Sequence, residues 1–170
     1  MDISLVTPAK SLALGFALAI STLSPAQTVA SKQITVNGET RLMVGPATVI
    51  VQTRETTAPK EDAIYSNRNS PCTGGRIPCL LTESFQIRVN GKPIYVPYSA
   101  FADLGDMTSL KIQHLASHYV LTIYGGDASV SYIAKLTFDD GRVLERVVAP
   151  GEDSTQPSER TVYYNPKRFE

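Results

Sequence analysis

Residues 119–148 read YVLTIYGGDASVSYIAKLTFDDGRVLERVV, and this stretch decides the fold. From Val130 to Phe138, apolar and polar side chains alternate. A period of two places one set on each face of a strand, so the apolar set is predicted to be buried. That set is Val130, Tyr132, Ala134, Leu136 and Phe138.

A hairpin turn at Asp140 and Gly141 follows this alternating segment. Asp-Gly is favoured in type I′ turns, because both central residues of such a turn need positive φ. With this turn, Phe138 faces Val143 across the hairpin as an apolar pair. Upstream, residues 119–124 are rich in β-branched and aromatic side chains. The stretch therefore predicts three consecutive antiparallel strands.

Two Asn-Gly pairs, at 37–38 and 90–91, predict further hairpins. The preceding residues are similar, QITV and QIRV. Hairpin chemistry alone selects such residues, so a true repeat stays open. In the second hairpin Phe85, Ile87 and Val89 are predicted to share the buried face. With about eight short strands and little helix, the chain is predicted to be all-β, as an antiparallel β-sandwich or a strongly bent sheet.

The N-terminal segment predicts export. Residues 11–23 (SLALGFALAISTL) form an uncharged apolar run after Lys10, and small residues follow up to Ala26 and Ala30. This is the pattern of a cleaved secretory signal peptide, and the run is shorter than the about 20 apolar residues of a membrane span. We therefore predict a signal helix within 1–30, cleavage after Ala30 or less favourably after Ala26, and a periplasmic or secreted mature protein.

Cys72 and Cys79 are the only cysteines in the chain. An even count in an exported chain indicates a disulfide, whereas a metal site would need further ligands nearby. Closing a loop of eight residues stabilises a protein by about 2–2.5 kcal/mol in the chain-entropy model. The bond lies inside 56–84, a segment without periodicity, which predicts a functional loop stapled by the disulfide. The mature chain, 31–170, is predicted to be one β-rich domain.

Charge argues against two classes of partner. The chain carries 16 basic and 16 acidic side chains, and no basic cluster is longer than two residues. Nucleic acids and anionic membrane surfaces are bound by an excess of positive charge. We therefore predict no nucleic-acid partner. No later apolar run is long enough to span a bilayer, so no stable membrane insertion is expected after signal cleavage.

No catalytic signature is present, and no cofactor is predicted. His114 and His118 have the spacing of a helical zinc site, but the flanking residues predict strands and no ligand cluster accompanies them. A triad of Ser129 or Ser131 with a histidine and Asp127 is possible on paper, but triads are defined by geometry. No catalytic or metal-binding residue is therefore assigned.

A pair of acidic residues, Asp103 and Asp106, raises the question of a calcium site. Calcium sites take six to eight oxygen ligands, commonly from a loop with a recognisable pattern of acidic residues and glycines. No such pattern surrounds this pair. We therefore interpret both carboxylates as ordinary turn residues.

Four segments of the second half, NGKPIYVP, SAFADLGD, VLTIYGGDASVSY and TVYY, carry a resemblance to known proteins. They resemble segments of small exported bacterial proteins, mostly proteobacterial, with no assigned function. The resemblance covers roughly 85–165, and its most specific part is GGDA at 125–128 followed by Ser131 and Tyr132. It implies export and a single domain, and it supplies no catalytic residue.

The leading hypothesis is an exported, non-enzymatic β-domain that binds another envelope or extracellular protein, as an inhibitor, an immunity factor or an accessory factor. The alternative is a small exported hydrolase with a site assembled from scattered residues. For the binder, the predicted contacts are side chains that a strand scaffold does not explain, because Arg and Tyr are favoured as interface anchors. These contacts are Arg76, Ile77, Tyr65 and Tyr98.

Overall fold

The computed structural model describes residues 28–56, residue 72 and residues 78–164. Ten strands lie in these ranges: β1 (Val29–Gln33), β2 (Glu39–Val44), β3 (Ala47–Glu55), β4 (Leu80–Val89), β5 (Lys92–Pro93), β6 (Met107–Leu115), β7 (His118–Gly125), β8 (Tyr132–Phe138), β9 (Val143–Pro150) and β10 (Glu159–Val162). They form a six-stranded sheet, β1-β6-β7-β8-β9-β10, and a four-stranded sheet, β2-β3-β4-β5. Neighbouring strands in both sheets are antiparallel.

A single hydrophobic core lies between the two sheets and confirms the all-β prediction. Both sheets contribute fully buried side chains, for example Val49 and Ile87 from the four-stranded sheet and Leu121 and Leu136 from the six-stranded sheet. Because each strand alternates its side chains between two faces, one face of each sheet is left for the core. The prediction of about eight strands was too low for this part of the chain.

The stretch that decides the fold forms three consecutive antiparallel strands, as predicted. β7, β8 and β9 are neighbours, and Phe138 pairs with Val143. Leu136 and Phe138 are fully buried, but Val130 is 40% exposed, so its assignment to the buried face was wrong. Val130 ends a short 3₁₀ helix, Ala128–Val130, and the strand begins only at Tyr132.

The turn between β8 and β9 is not the predicted type I′ turn, because neither Asp140 nor Gly141 has positive φ. The Asp139 side chain forms this turn instead. Asp139 Oδ1 accepts the backbone N–H groups of Gly141 at 2.8 Å and Arg142 at 2.9 Å. The register also shifts by one residue before Phe138. An Asp side chain that bonds two residues onward is a frequent alternative way to form a turn.

The two Asn-Gly pairs have different structures. Asn90 and Gly91 have φ values of 53° and 75° and connect β4 to β5 as a hairpin, as predicted. Asn37 also has positive φ, but Gly38 does not. This first pair lies at a corner where the chain leaves one sheet for the other, since β1 pairs with β6 and β2 with β3. The hairpin prediction at 37–38 was therefore wrong.

Buried threonines explain why the chain turns this corner. Thr35 N donates to Thr40 Oγ1 at 2.7 Å, and Thr53 Oγ1 donates to the Thr35 carbonyl at 2.7 Å. Thr40 and Thr53 are both almost completely buried. These side chains bond the Thr35 backbone groups that a hairpin partner would otherwise bind.

The predicted loop 56–84 is shorter than expected: β3 ends at Glu55, as predicted, but β4 already begins at Leu80. A register shift between Gln52 and Thr53 marks a bulge that hides the strand periodicity in the sequence. The loop residues 57–71 and 73–77 lie outside the described part of the chain.

The segment 94–106 crosses from the four-stranded to the six-stranded sheet and covers one side of the sandwich. It begins with a backbone bond from Ile94 N to Ile87 O at 3.0 Å and an isolated bridge between Tyr95 and Arg142. A 3₁₀ helix, Tyr98–Ala100, follows. We call this segment the crossover segment.

The predicted signal peptide lies mostly outside the described residues, and its helix is not part of the fold described above. Val29 and Ala30, at the end of the predicted signal, belong to β1. Within the ranges that the structure covers, no helix is long and apolar enough to cross a membrane.

Candidate functional site

Of the four predicted contact residues, the structure describes Tyr98. Arg76, Ile77 and Tyr65 lie outside the described residues. Tyr98 begins the 3₁₀ helix of the crossover segment, and it is 73% exposed. A large aromatic side chain held this far out of the core is a candidate for contact with a partner.

A chain of aromatic contacts, which we call the aromatic ladder, connects the Tyr98 ring to two buried phenylalanines. The Tyr98 ring meets the Phe101 ring edge-on, with centroids 5.4 Å apart, and Phe101 stacks on Phe85, again at 5.4 Å. Both phenylalanines are buried. Ring pairs of this geometry stabilise by about 0.5–1.5 kcal/mol beyond area burial. Tyr98 is therefore exposed on a rigid support, as an interface anchor should be.

Tyr95 is a second exposed tyrosine, 63% exposed, that sequence reasoning missed. The neighbouring Ile94 is only 8% exposed and packs into the core. The alternation in KPIYV could have indicated this pattern, because alternate residues of an extended segment face opposite sides. With Tyr98, three residues further on, Tyr95 gives the crossover segment two exposed tyrosines.

The disulfide is present between Cys72 and Cys79, as predicted, with the two Cα atoms 5.6 Å apart. Both cysteines are buried. Cys79 N donates to Thr56 Oγ1 at 2.9 Å, and Thr56 N donates to the Cys79 carbonyl at 2.8 Å. The bond thus closes the loop at the end of the β3–β4 ladder. Disulfides persist in oxidising compartments, which agrees with a location outside the cytoplasm.

Replacing both Cys72 and Cys79 with Ala is expected to lower the free energy of unfolding by at most about 2 kcal/mol, because the closed loop is short. Urea denaturation of the two proteins measures the difference. The fold should persist, since backbone bonds from Thr56 N to Cys79 O and from Asp106 N to Leu80 O hold the base of the loop. Free thiols detected by alkylation in the oxidised wild-type protein would contradict the prediction.

The two ends of the crossover segment lie near opposite ends of β8. The crossover segment starts beside Arg142, at the β8–β9 turn. It ends at Asp106, which bonds Leu80 next to the disulfide and accepts Gly126 N at 3.0 Å. The seven residues of β8 separate these ends, a distance of about 20 Å. The end of the crossover segment that bonds Leu80 is therefore the end nearer the disulfide.

A buried arginine joins the crossover segment to β9 and β10, and sequence reasoning missed it. Arg146 is 2% exposed. Its Nη2 donates to both carboxylate oxygens of Asp103, at 2.8 and 2.6 Å, and its Nη1 donates to Glu159 Oε1. Burial opposes the charge, but the bonds to Glu159 and Asp103 raise the pKa of Arg146 overall. The same bond to Arg146 lowers the pKa of Glu159.

Asp103 and Asp106, the acidic pair considered above as a calcium site, both accept hydrogen bonds from groups of the protein itself. Asp103 binds Arg146 with both oxygens, and Asp106 Oδ1 accepts Leu80 N at 2.9 Å. Among the residues that the structure covers, no group of three or more His, Cys, Asp or Glu side chains could hold a metal ion. Both carboxylates therefore stabilise the crossover segment.

The GGDA…SY motif is explained by close packing. A Cβ on Gly125 would lie 2.3 Å from the hydroxyl of Tyr132, which pairs with it across the sheet. The Tyr132 hydroxyl donates to the Gly105 carbonyl at 2.8 Å. Burial, followed by the Asp103 and Asp106 carboxylates, raises the pKa of Tyr132, and Arg146 opposes the rise. Tyr132 thus covers a glycine and ties the crossover segment to β8, which is a structural role.

The two histidines flank the β6–β7 hairpin, and His118 pairs with Leu115. The His114 ring stacks on Tyr119 at 4.5 Å, and Tyr119 stacks on Phe138 at 5.1 Å. Burial, followed by the nearby Asp140 carboxylate, raises the pKa of Tyr119. The histidines lie on a strand hairpin and not on a helix, so they lack the geometry of the helical zinc motif.

The triad considered from the sequence is not assembled. His114 pairs with Tyr119 at the start of β7. The other members lie beyond Gly125, at the far end of β7: Asp127, Ser129 and Ser131. Six residues of strand span about 20 Å, several times the reach of a hydrogen bond. Neither histidine can therefore serve as a base for these serines in this fold.

No protein-family model, curated protein or solved structure matches this chain. The fold and its surface therefore define the class directly: a two-sheet antiparallel β protein with a disulfide-closed loop. Its most distinctive exposed feature is the pair of tyrosines on the crossover segment.

Proposed function

We propose that this protein is an exported, non-enzymatic β-domain that binds another envelope or extracellular protein. The observation that carries the proposal is the aromatic ladder that ends in Tyr98, which presents a 73% exposed ring on a buried support. Tyr is favoured at interface hot spots, and a contact that is already rigid loses little conformational entropy on binding. Tyr95 enlarges the same surface.

The rest of the domain provides a scaffold for this surface. Glycine packing at Gly125, the Arg146 cluster and the disulfide each hold a connection between strands. None of these groups needs to react for a binding function. An inhibitor, an immunity factor and an accessory subunit all need such a rigid scaffold, and the identity of the partner would distinguish them.

Export is part of the proposal and rests on the apolar run 11–23 together with the disulfide. The position of β1 favours cleavage after Ala26 over cleavage after Ala30. Cleavage after Ala30 would remove Val29 from β1, and with it Ala30, which packs against the core. It would also remove Thr28, whose carbonyl accepts His114 N at 3.1 Å. Cleavage after Ala26 keeps all these contacts.

We therefore expect the exported protein to begin at Gln27. Intact-mass measurement of the protein recovered from the exported fraction, with N-terminal sequencing, tests this directly. A mature protein that begins at Ser31 would contradict the choice of site. Full-length protein retained in the cytoplasm would contradict export itself.

The binding surface is tested by Tyr98→Ala in a quantitative capture assay, with the tagged mature protein as bait for envelope extract. The captured partner is then purified and titrated. Loss of an interface anchor costs about 2 kcal/mol or more, so affinity should fall at least about 30-fold. Tyr164→Ala is the matched control, because Tyr164 is also exposed, at 84%, but lies after β10. Equal binding by the Tyr98 and Tyr164 variants would contradict the proposed surface.

The same preparation separates binding from catalysis. Replacing His114 and His118 with Ala should leave partner affinity unchanged, because the two side chains lie on the β6–β7 hairpin and not on the crossover segment. Hydrolytic turnover by the purified mature protein that disappears in this double variant would make the hydrolase hypothesis correct and the binding proposal wrong.

A further inference from the structure

A row of side chains crosses the outer face of the four-stranded sheet. Met43 pairs with Thr48, Thr48 with Arg88, and Arg88 with Pro93. Directly paired residues lie about 5 Å apart on the same face of a sheet. The backbone ladder continues one residue past Pro93, which places Tyr95 on the same side. We call these five residues the Arg88 face.

The Arg88 face is exposed and has the composition of a protein interface. Met43 is 59% exposed and Tyr95 is 63% exposed, and Arg88 and Pro93 are exposed as well. Met, Tyr and Arg are enriched in the cores of protein interfaces, and Lys is depleted there. The outer face of the six-stranded sheet differs, because Lys111 and Lys135 flank Thr122 in its central row.

The charge of Arg88 is not neutralised within the described chain. The other two arginines of β2, β3 and β4 bind carboxylates: Arg41 pairs with Glu39 at 3.0 Å, and Arg54 pairs with Glu83. Arg88 makes no ion pair with any residue that the structure covers. A guanidinium group binds a carboxylate with two parallel hydrogen bonds, which gives orientation as well as affinity.

We propose that the Arg88 face docks a protein partner that presents a carboxylate to Arg88, with Met43 and Tyr95 packed around that ion pair. The proposal rests on the proposed binding function and extends its surface from Tyr98, three residues beyond Tyr95, onto the sheet. Apolar side chains around a buried ion pair exclude water and strengthen it.

Charge excludes the other occupants of this face. A second copy of the chain would bring two Arg88 side chains together without an acidic residue in the row, and like charges at an interface repel. An anionic membrane gains only about 1 kcal/mol for each basic residue near its surface, too little for one unpaired arginine. A protein that presents a carboxylate would neutralise the Arg88 charge and could also cover the apolar surface of Met43 and Tyr95.

The experiment uses benzoyl-phenylalanine, a photo-crosslinking amino acid, placed at Met43, at Tyr95 or at Tyr98 of the full chain in an exporting bacterial host. Mass spectrometry identifies the protein and the peptide joined to each position. We expect Met43 and Tyr95 to give the same partner, with Asp or Glu in the joined peptide. Gln113, on the outer face of the six-stranded sheet, is the control position and should give no adduct.

Charge reversal then tests the ion pair. Arg88→Glu should weaken affinity for the purified partner by at least about tenfold, and reversing the partner's carboxylate to Arg should restore it. Lys135→Glu makes the same change of net charge on the other sheet and should have little effect. Circular dichroism confirms that each variant is folded.

Four results would overturn the proposal. An adduct from Tyr98 alone, or unchanged affinity of Arg88→Glu alongside a loss in Tyr98→Ala, refutes the Arg88 face and leaves the proposed function standing. An adduct with a second copy of the chain would show that this face forms a dimer instead of binding another protein. The absence of protein adducts at Met43, Tyr95 and Tyr98 together refutes this proposal and the proposed function.

Discussion

Replacing both carboxylates that hold Arg146, by Asp103→Asn together with Glu159→Gln, is expected to lower the free energy of unfolding by about 3 kcal/mol. Arg146 is 2% exposed and forms ion pairs with both. Without them the buried guanidinium keeps amide oxygens as acceptors but loses both negative charges, which is strongly destabilising. The value lies at the lower end of the usual range, because both carboxylates are partly exposed and water can replace them in part.

Arg146→Met removes the opposite partner and should cost much less, about 1 kcal/mol. The methionine retains apolar bulk in the core, and Asp103 and Glu159 are exposed enough to be hydrated once the arginine is gone. Urea denaturation of wild type and both variants measures the asymmetry. Equal losses in the two variants would contradict the assignment of the larger cost to an uncompensated buried charge.

The ion pairs of Arg146 with Asp103 and Glu159 also predict that stability depends on pH. The bond to Arg146 lowers the pKa of Glu159 in the folded protein. A lowered pKa contributes stability above the ordinary glutamate value, about 4.3, and that contribution is lost as pH falls through the lowered value. Stability of the wild type should therefore fall in this acidic window by more than that of Glu159→Gln. If the plots of stability against pH for the wild type and Glu159→Gln ran parallel, the lowered pKa of Glu159 would be contradicted.

Local chemistry made much of the fold predictable from sequence. The alternation around Leu136 and Phe138 required one buried face, and Asn90-Gly91 has the positive φ angles that its hairpin needs. The disulfide followed from two cysteines and the predicted compartment. In each case residues close together in the sequence determine the outcome.

The features that sequence reasoning missed depend on distant residues. QITVNG and QIRVNG are nearly the same hexapeptide, yet only the second forms a hairpin. The first is turned from one sheet to the other by Thr40 and Thr53, and Thr53 lies 18 residues from its partner Thr35. No local pattern in the hexapeptide contains that information.

The candidate site also combines features that the local sequence indicates with features that depend on distant residues. Arg146 has nothing in its local sequence to mark it as buried, and its partner Asp103 lies 43 residues away. Tyr98 was predicted as a contact from residue type alone, whereas the ladder that supports it requires Phe85 and Phe101 from different elements. Sequence therefore indicated a plausible anchor, and tertiary packing shows why it is rigid.

The glycine pair Gly125-Gly126 gives the second large effect. Gly126 has a φ of +74°, and a Cβ there would lie 2.3 Å from the Val130 carbonyl oxygen, a backbone atom. Gly126→Ala therefore combines backbone strain with a clash that a side-chain rotation cannot relieve. The backbone strain costs about 1–2 kcal/mol and the overpacking about 1–3 kcal/mol.

Gly91→Ala separates these two contributions, because Gly91 has almost the same φ, +75°, with nothing within 4 Å of the added Cβ. We expect Gly91→Ala to lower the free energy of unfolding by about 1 kcal/mol and Gly126→Ala by about 3 kcal/mol, both measured by urea denaturation. The difference measures the close packing of the motif against the 3₁₀ helix Ala128–Val130. Equal losses would show that positive φ alone requires the glycine. If Gly126→Ala stays stable but no longer captures the partner, the motif has a binding role and its structural explanation is wrong.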